Sequence, residues 1–195
     1  MTSSAALAEK RFPIEGGCFI AVVGPSGAGK DSVMNAARRA LGDAANVHFV
    51  RRCITRPVDG VHEDHEPFAT GDFERAADTG AFALWWKAHG QAYGIPAAVD
   101  ERIRDGDIVV ANLSRTVLPE LATRYARSRI VMITASPEAI AVRVAGRGRE
   151  DGDAVRQRLA RVVDVACSLD MDVIDNSGSL DAAAQAFVDV VRSEL

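Results

Sequence analysis

Residues 24–33 read GPSGAGKDSV: three glycines, a lysine, then an acid and a hydroxyl within ten positions. Glycines at 24, 27 and 29 let backbone N–H groups turn inward on an anion, and a helix starting behind them adds the positive end of its dipole. Lys30 adds an ammonium on a flexible stem, suited to bridging two phosphoryl groups. The spacing G-x-x-x-x-G-K is that of a loop that cradles the phosphates of a nucleotide. It follows the apolar run FIAVV (19–23) and opens a helical pattern over 31–41, the strand–loop–helix context that separates it from a chance match. Gly24, Pro25, Ser26, Gly27, Ala28, Gly29, Lys30, Asp31 and Ser32 are therefore the expected phosphate contacts.

One position departs from the pattern. A hydroxyl ordinarily follows the lysine and touches Mg²⁺, while a carboxylate helps from the end of a neighbouring strand. Here Asp31 follows Lys30 and the hydroxyl comes one place late, as Ser32. The apolar strand DIVVANL (107–113) carries Asn112 where an acid is expected. One acid is gained and one is missing, which suggests that the carboxylate has moved and that Asp31 holds Mg²⁺ directly or through water. The alternative is that Asp31 only complements the helix dipole, with Ser32 on the metal.

Arginines form three clusters in a chain of net charge −4: Arg51, Arg52 and Arg56; Arg143, Arg147 and Arg149; Arg156, Arg158 and Arg161. The planar guanidinium donates two parallel hydrogen bonds to a phosphate. Arg143 and Arg147, four residues apart, share a helix face and could close together on a transferring phosphoryl group. A solvated, salt-bridged helix face is the plainer alternative. HEDHE (62–66) has the composition of a metal site but no zinc-like spacing, so a polar loop binding the acceptor is the better reading. Of Trp85 and Trp86, the second reads as core.

The elements that must position these groups follow from periodicity. Strands are expected at 19–23, 47–55, 107–113, 129–135 and 171–175. Helices are expected at 31–41, 96–106, 136–148 (capped by Ser136), 154–166 and 179–195 (capped by Ser179). Residues 56–98 are crowded with glycine and proline and read as irregular, apart from a strand candidate at 83–88. Strands alternating with helices give an α/β fold, a three-layer sandwich on a parallel sheet. The expected organisation is a flexible tail over 1–14 and one domain over 15–195, with an acceptor-binding insertion near 56–98 and an arginine-rich lid near 143–155. The length of 195 residues suits one domain with a sizeable core. The apolar fraction of 48% and mean hydropathy of zero are those of a globular chain. Acidity argues against nucleic acid as a partner, and no apolar run is long enough for a membrane span. The N-terminus lacks a secretory pattern. Cys18, Cys53 and Cys167 form neither a zinc spacing nor a disulfide framework, which points to a reducing cytoplasmic setting.

Over nearly its whole length the chain resembles the guanylate-kinase-like branch of P-loop kinases. The shared pieces are GPSGAGK, the ITR at 54–56, HGQAYG at 89–94, and RVAGRGRE at 143–150 followed by RL. It departs where those enzymes read guanine. Leu84 replaces the base-binding glutamate of F-L-E-W, Ile95 replaces a polar residue, and TRPVDG lacks the second arginine of its segment. Leucine cannot accept from guanine N1–H and N2–H₂, and each donor left unpaired costs about 1–3 kcal/mol. The departures match another group. GPSGAGKDS, ITR, EDH, the W…HG…YG stretch, ANLSR, RGRE and NSGSL are similar to the ribose 1,5-bisphosphate phosphokinases of phosphonate utilisation.

That resemblance implies the reaction ATP + ribose 1,5-bisphosphate → ADP + 5-phospho-α-D-ribose 1-diphosphate (PRPP), with Mg²⁺. The acceptor is a phosphate oxygen already ionised near neutral pH, its second pKa being about 6, so no general base is required. Positive charge must instead bring two anions together. The implied roles place Lys30 between the β- and γ-phosphates, and Asp31 or Ser32 on Mg²⁺. Arg143, Arg147 and Arg158 would stabilise the transition state. Arg56, Tyr93 and Arg115 would hold acceptor phosphates, and Glu63, Asp64 or His65 would meet ribose hydroxyls. Expected partners are these small molecules, with a homodimer left open. Guanylate kinase activity is the alternative.

Overall fold

A computed structural model describes residues 13–44, 46–57, 64–145 and 171–195. The expected lid beyond 145, the helix at 154–166, Glu63, Arg147, Arg158 and residues 1–12 of the expected tail lie outside the described residues.

Five strands form one all-parallel sheet in the order β2-β7-β1-β8-β9. They are β1 (Cys18–Val23), β2 (Val47–Phe49), β7 (Ile108–Asn112), β8 (Ser128–Thr134) and β9 (Met171–Asp175). β1 is central and buried along its whole length, as a continuous apolar run should be when both faces of the sheet are covered. Its alternating side chains feed two cores. Cys18, Ile20 and Val22 pack against α1 (Lys30–Leu41) and the C-terminal α6 (Leu180–Arg192), through Val33, Ala37, Phe187 and Val191. Phe19, Ala21 and Val23 face the other way, toward α3 (Val99–Arg104) and α4 (Leu118–Arg124), through Ile103, Leu118 and Leu121. This is the expected three-layer α/β sandwich. No helix among the described residues is long and apolar enough to cross a membrane.

A second sheet, β4-β3-β6-β5, is the main departure from expectation. It contains β3 (Arg52–Ile54), β4 (His65–Pro67), β5 (Phe82–Ala88) and β6 (Gln91–Pro96), with α2 (Thr70–Asp78) packed on it. The strand expected over 47–55 is in fact two strands. Val50 donates to the Val110 carbonyl at 2.9 Å as the last bond to the parallel sheet, and the chain then joins the second sheet at Arg52. Residues 64–98 hold β4, α2, β5 and β6 where mostly irregular chain was expected, because several of the breakers there are turn residues. His89 (φ 51°) and Gly90 (φ 73°) form the two-residue turn of a hairpin in which Ala88 pairs with Gln91. Two successive positive φ values suit the twist of antiparallel strands. Phe68, Phe73 and Phe82 fill a small core between α2 and this sheet.

Two smaller expectations change and one holds. Ile14 belongs to no tail: its N–H donates to Arg124 O (2.8 Å) and its carbonyl accepts from Ala126 N–H (2.9 Å). Ser136 caps its helix as expected, accepting from Ala139 N–H at 3.2 Å. Ser179 begins α6 with its backbone carbonyl, but its hydroxyl makes no capping bond.

Candidate active site

The loop leaving β1 ends at the left-handed Gly29 and delivers Lys30 as the first residue of α1. Two glycines are required by close approach as well as by angle. A Cβ on Gly24 (φ 144°) would lie 2.1 Å from Ile133 O, and one on Gly29 (φ 86°) 2.5 Å from Asn176 Nδ2. Lys30 folds its ammonium back over the loop, donating to Gly24 O (2.9 Å) and Pro25 O (3.0 Å). Those carbonyls are weak substitutes for phosphate oxygens, and the ammonium is already at the mouth of the cradle.

Asp31 and Asn112 meet. The Asn112 amide at the end of β7 donates to Asp31 Oδ1 at 2.9 Å. The two departures noticed in the sequence meet as one hydrogen-bonded pair. Ser32 is exposed on the same helix. The Asn112 amide uses one carboxylate oxygen and leaves lone pairs for a cation, so the donor set fits a hard divalent ion that takes its remaining ligands from phosphate and water. Among the described residues no group of three His, Cys, Asp or Glu side chains could hold a metal by itself.

Asn176, just past β9, braces the outer side of the loop. Its amide donates to Ala28 O (2.8 Å), and its backbone N–H donates to Thr134 O (2.8 Å). Arg143, on α5 (Pro137–Ala145), donates to Asn176 O (2.7 Å) and Ala28 O (3.4 Å). Arg143, expected in a closing lid, thus contacts the phosphate loop's backbone at Ala28. Asn176 was missed as a site residue. Its signal was the NSGS that follows β9, quoted above without a role.

On the second sheet, Arg56 follows β3, and its Nε and Nη2 are buried with no hydrogen-bond partner among the described residues. A guanidinium so placed is costly unless an anion completes it. Thr55 fixes the approach to it, accepting from Ala92 N–H (2.8 Å) and donating to Gln91 Oε1 (3.0 Å). His65 departs from expectation. Its ring is 1% exposed, and Nε2 donates to Arg56 O at 2.9 Å, so it braces the arginine's backbone rather than offering itself to a ribose hydroxyl. Asp64 is exposed and paired with Arg51 at 2.8 Å. Tyr93 stacks on Trp86 with ring centroids 5.4 Å apart. Arg115 lies in the 3-10 turn after β7. Trp86 is core, whereas Trp85 is 44% exposed. Leu84 pairs with Ile95 across the hairpin, and the two are 1% and 0% exposed.

Arg52, also unassigned from sequence, is buried at 7% exposure. Its guanidinium carbon lies 5.3 Å from the Tyr93 ring centre and 5.9 Å from that of Trp86, and Nη1 donates to Asn112 O at 3.1 Å. The thiols take no part in this chemistry: burial pushes Cys53 up to about 11 and Cys18 up to about 12, leaving both protonated at neutral pH.

A parallel sheet with a phosphate cradle at the carboxyl end of its central strand, and a second sheet beside it, defines a P-loop phosphotransferase. Residues 20–164 match the family model described as an AAA domain, and the chain belongs to that family. It is 49% identical over 173 residues to the ribose 1,5-bisphosphate phosphokinase PhnN of Brucella melitensis biotype 2, covering 88% of this chain and 90% of the relative. Identity to the enzyme of the same name from Chelativorans is 48% over 189 residues, covering 94% and 89%. Within the P-loop kinases, the chain belongs to the ribose 1,5-bisphosphate phosphokinase family. Among solved structures, guanylate kinase from Anaplasma phagocytophilum superposes with TM-score 0.68 over 94% of this chain and 88% of that one; at 14% identity it shares the fold alone.

Proposed function

We infer that the protein transfers the γ-phosphoryl group of ATP to ribose 1,5-bisphosphate, giving ADP and 5-phospho-α-D-ribose 1-diphosphate, within phosphonate breakdown. The observation that carries this reading is the make-up of the second sheet. Leu84 and Ile95 put buried apolar side chains where the guanylate-kinase pattern has base-reading groups, while Arg56 presents two buried nitrogens, Nε and Nη2, with no hydrogen-bond partner among the described residues. A sugar bearing two phosphates and no base needs that exchange.

In this reading residues 24–30 wrap the nucleotide's phosphates and Lys30 turns from the loop carbonyls to the bridging oxygens. Asp31, steadied by Asn112, would hold Mg²⁺. That ion would neutralise charge on the β- and γ-phosphates. Arg56, with Arg115 and Tyr93, would hold the acceptor so that an already ionised phosphate oxygen lies in line. Arg143, Arg147 and Arg158 are assigned to the nucleotide side, with residues 143–155 as a lid on one domain spanning 15–195. Two buried free cysteines support a reducing, cytoplasmic setting. The test offers ribose 1,5-bisphosphate and GMP in parallel to purified protein with ATP and Mg²⁺. The expected product is PRPP with little GDP, and efficient GDP formation would overturn the reading.

A further inference from the structure

The acceptor sheet and the nucleotide site are joined by an unbroken line of hydrogen bonds. Arg52 is anchored in β3, paired with His65 of β4 on one side, while its neighbour Cys53 pairs with Gly94 of β6 on the other. Its guanidinium leaves that sheet, passes over the Trp86–Tyr93 stack and donates to the carbonyl of Asn112, the last residue of β7 in the parallel sheet. The side chain of the same Asn112 donates to Asp31. The bonds are 3.1 Å and 2.9 Å, with Arg52 and Asn112 both 7% exposed.

We propose that Arg52 is a positioning residue: through the Asn112 carbonyl it fixes the Asn112 amide, and through that amide it sets Asp31 in the orientation that receives the nucleotide's metal. The proposal rests on the reading of Asp31 as the Mg²⁺ ligand. The physical case is one of constraint. The peptide bearing this carbonyl is held at its N–H, which Leu113 donates to Val22 O at 2.9 Å, but its carbonyl end can still tilt, and the Asn112 side chain beside it follows. A charged donor on the carbonyl removes that freedom, because turning away would leave a buried cation short of a bond. The stacked rings fix the guanidinium in turn, since a cation over an aromatic face has a preferred plane. Tyr93, which borders the acceptor site, therefore belongs to the assembly that orients Asp31. Metal geometry and acceptor-sheet geometry are set by the same guanidinium.

The experiment compares the wild type with Arg52→Met, Arg52→Lys, Asn112→Ala, Asp31→Asn and the double variant Arg52→Met/Asn112→Ala. The probe is Mn²⁺ titrated in the presence of ATP and followed by electron paramagnetic resonance of the free ion. ATP binding in EDTA checks that each variant is folded with an intact loop. The expected result is that Arg52→Met and Asn112→Ala each raise the Mn²⁺ half-saturation by about tenfold and leave metal-free ATP binding unchanged. The double variant is expected to be no worse than the singles, and Arg52→Lys, which keeps the charge on one donor, recovers part of the loss. Should Asp31→Asn shift the Mn²⁺ curve while neither Arg52 variant does, and acceptor KM alone rises, Arg52 contacts acceptor directly and the proposal is overturned. Should Asp31→Asn itself leave the curve in place, the Asp31 reading fails first, and the proposal with it. If Arg52→Met does not fold, Arg52→Lys and Asn112→Ala decide by the same criteria.

Discussion

Replacing Arg56 by methionine should make the free protein more stable and a worse enzyme. Its Nε and Nη2 are buried with no hydrogen-bond partner among the described residues, and each such donor costs about 1–3 kcal/mol. Arg56 is only half-buried, so solvent relieves part of that cost and a net gain of roughly 1–2 kcal/mol is expected on removing it. For a chain of this size that is a rise in Tm of about 2–8 °C. Methionine keeps most of the apolar stem, so packing is largely conserved. The loss falls on binding. A charge-assisted hydrogen bond to phosphate contributes about 1.5–3 kcal/mol, which is roughly 10- to 150-fold in kcat/KM for the acceptor. Two assays check this: thermal unfolding with and without ribose 1,5-bisphosphate, and initial rates as the acceptor is varied at saturating ATP. The wild type should gain Tm on adding acceptor, and the variant should not. A variant that melts lower and keeps its acceptor KM would refute the reasoning, because Arg56 would then be a structural strut.

Three further outcomes are expected. Leu84→Glu should not restore GMP phosphorylation: it places an unpaired carboxylate in a site 1% exposed, costing about 3–5 kcal/mol, and thermal melting with a GMP assay will register instability without GDP formation. Gly29→Ala forces a Cβ to 2.5 Å from Asn176 Nδ2 at a φ of 86°, so it should displace the brace on Ala28 and lower ATP affinity by roughly tenfold or more, read by ATP titration. Glu194→Gln should flatten the acid side of the stability profile. Burial raises the Glu194 pKa, but the hydrogen bond from Arg129, with Cys18 and Arg127 helping, outweighs this and holds it below its ordinary 4.5. A depressed folded pKa contributes stability above the unfolded value, and that stability is lost as pH falls through the folded one. Denaturant midpoints measured downward from about pH 5 should therefore fall less steeply in the variant than in the wild type.

What could be read without coordinates was whatever depends on near neighbours in sequence. FIAVV, the glycine loop and the helix behind it are a local unit, and every part of it stands where periodicity put it. The same holds for 107–113, 129–135 and 171–175, whose apolar runs admit little except a buried parallel strand. The failures are non-local or depend on sign. Gly90 reads as a breaker, although its positive φ and that of His89 make the pair the turn that builds a hairpin. VHFVRRCIT reads as one strand candidate interrupted only by Arg51 and Arg52, yet the chain changes sheets there, which the partners Val110 and His65 reveal. Asp31 and Asn112 were each noticed, but their contact spans 81 positions. Asn176 and Arg52 stood in segments the sequence singles out, but their roles were not legible because the hydrogen bonds that place them go to backbone carbonyls, and a carbonyl has no residue type.

The second sheet is drawn from one uninterrupted stretch of chain. It leaves the parallel sheet after Val50 and ends at Pro96, with β3, β4, β5 and β6 all inside that interval. Arg56, Leu84 and Ile95, which in the present reading distinguish a phosphosugar from a nucleotide acceptor, are all carried on that single stretch, with Arg115 the one assigned acceptor contact outside it. The loop that handles the donor is carried on another. An ancestor could therefore have changed its acceptor by altering one contiguous stretch of gene, without disturbing the machinery that holds ATP. Arg52 marks the limit of that independence. It is encoded with the acceptor sheet but bonded to the end of β7, so a transplanted stretch lacking an arginine there would arrive without its link to the metal side.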